Sequence, residues 1–316
     1  MSTSVTLLAG GVGGARLAHG LARALPDGGA PGTHGGLTCV VNVGDDTERH
    51  GLHVAPDLDT VMYTLAGLND EERGWGLTGE SYATLSQLER LGEDTWFTLG
   101  DKDLATHVVR TARLREGQPL STVTAGLTAS LGVAARLLPV TDDAVRTRIT
   151  TPSGELEFQE YFVRRRHADA VLDLTFDGID AARPAPGVLD ALHGADLLVV
   201  APSNPFLSVE PVLGVPGVRE AVRAGGPRRV AVSPIVGGKA LKGPAAQVLE
   251  SLGHDVSALG VARLYTGLVD VMVIDTADAD LAGAIEDLGF EVLVTDTVMG
   301  GPAGRERLAR ELLALA

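Results

Sequence analysis

Four short segments carry residues able to do chemistry on a phosphate. Gly10-Gly11-Val12-Gly13-Gly14 is nearly free of Cβ atoms, so its backbone can close on a phosphate where a helix begins and free N–H donors concentrate. The same residues equally suit a tight strand-to-helix turn that needs small side chains for packing. No Lys-Ser/Thr pair follows, so this is not a P-loop, and Arg16 stands where the dinucleotide fingerprint has its third glycine. Asn42-Val43-Gly44-Asp45-Asp46 and Pro56-Asp57-Leu58-Asp59 bring carboxylates into one stretch, the hard oxygen ligands that Mg²⁺ takes beside phosphates. Asp59 also suits a helix N-cap and Asp46 a solvated turn, which leaves Asp45 and Asp57 as the metal candidates. In Gly100-Asp101-Lys102-Asp103 a glycine turn opens a helix; Asp101 or Asp103 can cap it, or Lys102 can reach a substrate.

Aromatic residues make up only 4% of the chain, yet Trp75, Tyr82, Trp96 and Phe97 fall within one region, suited to stacking on a flat heteroaromatic ligand or to core packing. His50, His53 and His107 lack zinc spacing. With one cysteine, Cys39, and no G-x-S-x-G elbow, nucleophilic hydrolysis has no support.

The elements that must position these residues read as an α/β pattern. Residues 4–9 form an apolar run that ends in the glycine turn, residues 15–25 follow at helical spacing, and residues 37–43 form a second apolar run. Residues 26–36, rich in Gly and Pro, read as a loop. Residues 60–68, 82–91, 104–115 and 120–131 read as amphipathic helices, and 146–151 with 155–163 as a hairpin around Pro152-Ser153-Gly154. Strands are then expected at 171–176, 196–201, 229–233, 269–275 and 291–295, with helices between them. The pattern predicts a Rossmann-like, doubly wound, mainly parallel sheet built from 1–60 and 170–316, interrupted by a mainly helical insertion over 61–169. In such sheets ligands bind beyond the carboxyl ends of the strands. Besides the first two segments, that rule selects Pro202-Ser203-Asn204-Pro205 and Pro234-Ile235-Val236-Gly237-Gly238-Lys239.

The 316 residues carry 26 Lys+Arg against 41 Asp+Glu, and a net charge of −15 repels a nucleic-acid backbone. A single thiol makes no demand for an oxidising compartment, which leaves the cytoplasm as the expectation. No apolar stretch approaches the ~20 residues of a membrane span, and residues 1–9 read as a strand rather than a signal peptide.

These segments, together with Gly74-Trp75-Gly76, Leu99 to His107, Phe158-Gln159-Glu160 and Val232-Ser233-Pro234-Ile235, resemble the 2-phospho-L-lactate transferase family of coenzyme F-420 biosynthesis, especially its actinobacterial phosphoenolpyruvate transferase branch. The resemblance implies a Mg²⁺-dependent transfer. The terminal ribityl hydroxyl of the deazaflavin Fo attacks the phosphate that carries an enolpyruvyl or lactyl group in a guanosine diphosphate ester, and GMP leaves. It further implies that Gly10, Gly11, Gly13 and Gly14 with Asn42, Ser203 and Asn204 hold the nucleotide. Asp45 and Asp57 would hold the metal, Asp59 and Lys102 the Fo hydroxyl, and Trp75 and Asp101 the ligand on the insertion side. A homodimer is implied by the family alone. Lys102 departs from the family's usual arginine, keeping the charge but losing the bidentate fork. A non-catalytic, regulatory nucleotide-sugar-binding protein of a related Rossmann-like family is the rival reading. An NAD(P) oxidoreductase would rest on the glycines alone.

Overall fold

The computed structural model describes residues 3–30, 35–224, 226–241 and 243–316. Residues 31–34 of the expected 26–36 loop, and residues 1 and 2 of the expected first strand segment, lie outside them. Seven strands form one sheet: β1 Ser4–Ala9, β2 Gly36–Val41, β3 Arg136–Pro139, β4 Leu197–Val200, β5 Arg228–Val232, β6 Val271–Asp275 and β7 Glu291–Thr295. Their order is β7-β6-β5-β4-β1-β2-β3, and every neighbouring pair is parallel. The apolar runs explain this. Leu197 to Val200 are all wholly buried, and Val5 sits in register with Leu37 on one side and Leu197 on the other. Strands covered on both faces are apolar continuously rather than alternately.

Helix α1, Gly11–Ala24, follows β1 and packs between α2, Pro56–Leu65, and the last helix, Gly301–Leu313. Gly20 permits the second contact, since a Cβ there would lie 2.2 Å from the Arg305 carbonyl oxygen. The expected helices of the insertion are present as α3, Ala83–Arg90, α4, Asp101–Arg115, and α5, Leu120–Ser130.

Two expectations are corrected. Strand β3 lies inside the 61–169 stretch yet pairs with β2, so the chain returns to the core sheet part-way through the expected insertion. The strand expected at 171–176 forms as Asp173–Asp177, but it joins the hairpin Arg146–Thr151 and Gly154–Glu157 in a separate antiparallel sheet. Its residues alternate between exposed and half-buried, which fits a strand covered on one face and not a doubly covered parallel one. Among the described residues no helix is long and apolar enough to cross a membrane.

Candidate active site

The strand order reverses between β1 and β4, since the chain runs from β1 to β2 on one side and from β4 to β5 on the other. Loops leaving these two strands diverge and open a crevice. A cavity of about 890 Å³ occupies it, within the usual range for a small-molecule site. Gly13, Asp57 and Asn204 all line it, with Asp45 after β2, Ser233 after β5 and Thr297 after β7. Trp75, Phe97, Phe158 and Phe162 supply an apolar side.

The glycine turn packs against Asp57 and against the loop after β4, both of which line the cavity. Gly11 has φ +62°, a conformation that favours glycine, and its N–H donates to Asp57 Oδ1 at 2.7 Å. A Cβ on Gly13 would meet the Pro202 carbonyl oxygen at 2.2 Å, so this residue lets α1 press on the loop after β4. The Ser203 hydroxyl locks the same two loops by donating to the Gly10 carbonyl at 2.7 Å. Gly10, the N-cap residue of α1, has no side chain to cap it, so beyond the Gly11 N–H held by Asp57 the opening N–H donors lie at the cavity wall. Asn204 accepts N–H donors from Phe206 and Leu207 through Oδ1 at 3.0 and 3.1 Å, leaving its Nδ2 buried without a partner.

Asn42, wholly buried, does not line the cavity but sets Asp57: its Nδ2 donates to Asp57 Oδ2 at 3.0 Å while its Oδ1 accepts the Gly44 N–H at 2.8 Å. Gln159 donates to the Asp45 main-chain carbonyl at 2.9 Å. Asp45 Oδ1 is buried and has no hydrogen-bond partner. Burial, followed by the Asp57 charge, pushes the Asp45 carboxyl well above the usual carboxylate range. Burial pushes Asp57 up to about 6, although Asn42 and the Gly11 N–H oppose it. Two buried carboxylates with an unpartnered oxygen and no cation beside them fit a hard divalent ion. Asp46 is engaged elsewhere, its Oδ2 lying 2.9 Å from His53 Nε2.

Asp59 is not an N-cap. It forms a bidentate pair with the fully buried Arg110. Burial works to lower the Arg110 guanidinium, but the Asp59 carboxylate outweighs it and holds it above its ordinary value. Arg110 also donates to His107 Nδ1 at 3.2 Å, which leaves the neutral ring's hydrogen on Nε2, 3.3 Å from Asp103 Oδ1. The Tyr63 hydroxyl donates to the same oxygen at 2.8 Å. Asp59, Asp103 and His107 come within metal-ligand reach of one another. Arg110 already supplies the cation, however, and the histidine has no free lone pair.

Gly14, packed on Ala9 and Ser203, stands behind the lining like Asn42, and two further sequence candidates lie away from the cavity. Lys102 is exposed and donates from Nζ to the Thr78 carbonyl at 2.8 Å, while its N–H donates to Glu80. Asp101 accepts the Ser81 hydroxyl and the Ala83 and Thr84 N–H groups, and so caps α3 from outside that helix. Trp75, 44% exposed, does line the cavity. Sequence reasoning missed the roles of Arg110, Tyr63 and Thr297. Positions 103, 107 and 110 share one face of α4, and that spacing was the available signal for Arg110.

Residues 5–296 match the family described as 2-phospho-L-lactate transferase CofD. The chain is 42% identical over 318 residues to the phosphoenolpyruvate transferase of Streptomyces griseus subsp. griseus, covering 99% of this chain and 98% of that protein. It is 39% identical over 310 residues to the 2-phospho-L-lactate transferase of Methanothermobacter thermautotrophicus, covering 98% and 97%. The fold is also that of a UPF0052 family protein from Bacillus halodurans, with a TM-score of 0.63 at 15% identity over 99% of both chains. With a crevice at the sheet's switch point and relatives matched nearly end to end, the chain belongs to the 2-phospho-L-lactate transferase CofD family.

Proposed function

We propose that this protein is a transferase of coenzyme F-420 biosynthesis. It moves the phosphoenolpyruvyl or 2-phospho-L-lactyl group from a guanosine diphosphate ester to the ribityl hydroxyl of the deazaflavin Fo, releasing GMP. The observation that carries this reading is one cavity that joins the glycine-rich start of α1 and the Asp45–Asp57 pair to an aromatic side bearing Trp75 and Phe97. One part suits a diphosphate, the other a flat tricycle.

Asp45 and Asp57 would hold Mg²⁺, which when bound supplies neutralising charge to the phosphate oxygens. The N–H groups opening α1 hold the diphosphate, and the spare Asn204 Nδ2 gives one further donor on the nucleotide side. The Fo oxygen forms its bond to the phosphorus that bears the three-carbon acid as the bond to GMP breaks, and the hydroxyl proton passes to the departing GMP phosphate or to solvent. Such a transfer needs positioning and charge neutralisation, not a protein nucleophile. Asp59, tied to Arg110, accepts and orients the attacking hydroxyl. Lys102 is assigned to holding the loop at Thr78–Glu80 against α4, and Asp101 to holding α3 beside it.

Mass analysis of products after incubation with Fo, Mg²⁺ and each guanylyl donor tests the reading. The expected product is Fo carrying the phosphorylated three-carbon acid, with one GMP per product. Binding of nucleotide without any new Fo derivative would favour the regulatory reading instead.

A further inference from the structure

The cavity lining contains more anion-binding capacity than a diphosphate and a metal require. Arg16 follows Gly13 by three residues on α1, about one helical turn, and lines the cavity. Among the described residues it makes neither an ion pair nor a hydrogen bond. The other lining guanidinium, Arg73, lies 3.7 Å from the Asp70 carboxylate and donates to the Tyr82 hydroxyl.

Behind Arg16 the positive charge is also in excess. Arg305, on the last helix, is 1% exposed, and its Nε is buried without a partner. Its acidic partner is Glu71 at 2.5 Å, whose side chain is half exposed. His19, one turn further along α1, has an unpartnered buried Nδ1. Glu306, the next carboxylate on this face, is taken by Arg23 and Arg310. Burial and then the neighbouring Arg305 hold the Arg16 guanidinium below its ordinary value, with Glu71 only partly opposing them. A net acidic chain that leaves the Arg16 guanidinium without an acidic partner at its cavity, with Glu71 taken by Arg305, fits an anion supplied from outside.

The proposed donor carries three anionic groups. Two are phosphates, already matched to the start of α1 and to the metal. The third is the carboxylate of the three-carbon acid, which matches the planar fork of a guanidinium. We propose that Arg16 receives this carboxylate and thereby distinguishes the full donor from GDP. The assignment rests on the function proposed above, since it presumes a donor with a three-carbon acid.

The test compares binding of two ligands with Mg²⁺ present and Fo absent, so that no turnover occurs. These are GDP and the guanosine diphosphate ester of phosphoenolpyruvate, titrated calorimetrically into wild type, Arg16→Gln and Arg16→Lys. The wild type should bind the donor more tightly than GDP. Arg16→Gln should lose about tenfold to a hundredfold in donor affinity, the worth of one charged hydrogen-bonded pair, with GDP affinity held within about twofold. Arg16→Lys should recover part of the loss, as charge without a fork. Because Arg16 has no partner to orphan and its charge is opposed by burial and Arg305, thermal melting of Arg16→Gln should be no lower than wild type. Equal losses for both ligands, or none for either, would overturn the assignment while wild-type product formation with Fo left the proposed function standing. Absence of that product alongside a donor preference erased by Arg16→Gln would sink the transfer reaction and keep the carboxylate contact.

Discussion

Removing one carboxylate from the Asp45–Asp57 pair should make the metal-free protein more stable, and Asp45→Asn is the substitution that isolates this effect. Asp45 Oδ1 has no hydrogen-bond partner, so an amide there breaks no bond to that oxygen. Asp57 gives the scale. It is the better hydrogen-bonded of the two, and it is still pushed from 3.8 to about 6. That rise corresponds to about 3 kcal/mol against the ionised folded state at 1.36 kcal/mol per pH unit. A carboxyl raised by folding binds its proton more tightly in the native state. The destabilising effect of Asp57 is therefore absent below about 4, grows as pH rises toward 6 and is constant above, and that of Asp45, pushed well above the usual carboxylate range, likewise grows with rising pH. At pH 7.5 without metal, Asp45→Asn should then melt above wild type; the Asp57 scale of about 3 kcal/mol corresponds to roughly 5 °C at the unfolding entropy expected for this length. The difference between the two proteins should close on acidification. Mg²⁺ should reverse the order, stabilising wild type more as pH rises and leaving the variant unmoved, because ligation requires deprotonated carboxylates. Scanning calorimetry from pH 4.5 to 8, with and without Mg²⁺, measures each arm. A metal-free variant less stable than wild type at pH 7.5, or an equal Mg²⁺ response in both, would refute the reasoning.

Asp57→Ala should lower transfer to Fo by about a hundredfold or more, the scale of losing a preorganised charge contact, and turnover near wild type at saturating Mg²⁺ would reject that role. Arg110→Met leaves Asp59 buried and unpaired, so denaturant unfolding should show a loss of about 3–5 kcal/mol at neutral pH, and a loss under 1 kcal/mol would show that the pair is not closed off from water. Gly13→Ala forces α1 away from the Pro202 carbonyl, which should cost about 1–3 kcal/mol of stability and weaken GDP binding in titration; an unchanged affinity would separate the turn from the nucleotide. Trp75→Ala should weaken Fo binding about threefold to tenfold, read by deazaflavin fluorescence, with the melting temperature little changed because the ring is already half exposed.

What the sequence made legible is what depends on one strand or one turn at a time. Continuous apolar runs marked β1, β2 and β4 as strands, the strand-end rule then selected Gly13, Asp45 and Asn204, and the carboxylate cluster added Asp57; the fold gathers all four on one cavity. Strand β3 escaped because it has four residues, ends in Pro139 and pairs only along the sheet's edge, so its run was too short to stand out among helices. Asp173–Asp177 was assigned to the wrong sheet for a related reason: a half-covered strand and a core strand differ in what packs on them, and a run of five residues scarcely records it.

The roles on α4 were hidden by chemistry rather than length. Its inward face carries Asp103, His107, Arg110 and Thr111, all polar, while Val108 and Val109 are exposed, so the apolar residues of the expected amphipathic helix do not mark its inner side. Lys102 lies about 100° around the helix from Asp103 and faces solvent, although a charge-based reading made it the more attractive of the two. The inward set is tolerable only because each member answers another: Arg110 holds Asp59 and His107, while Asp103 takes the Tyr63 hydroxyl. Compensation of this kind is a property of positions brought together from α2 and α4, so no single segment could reveal it. The same accounting picks out the charges across the cavity that the protein leaves uncompensated. Asp59 and Arg110 cancel within the protein, whereas Asp45 lacks a cation and Arg16 an anion, and those are the groups that a metal and a substrate are expected to complete.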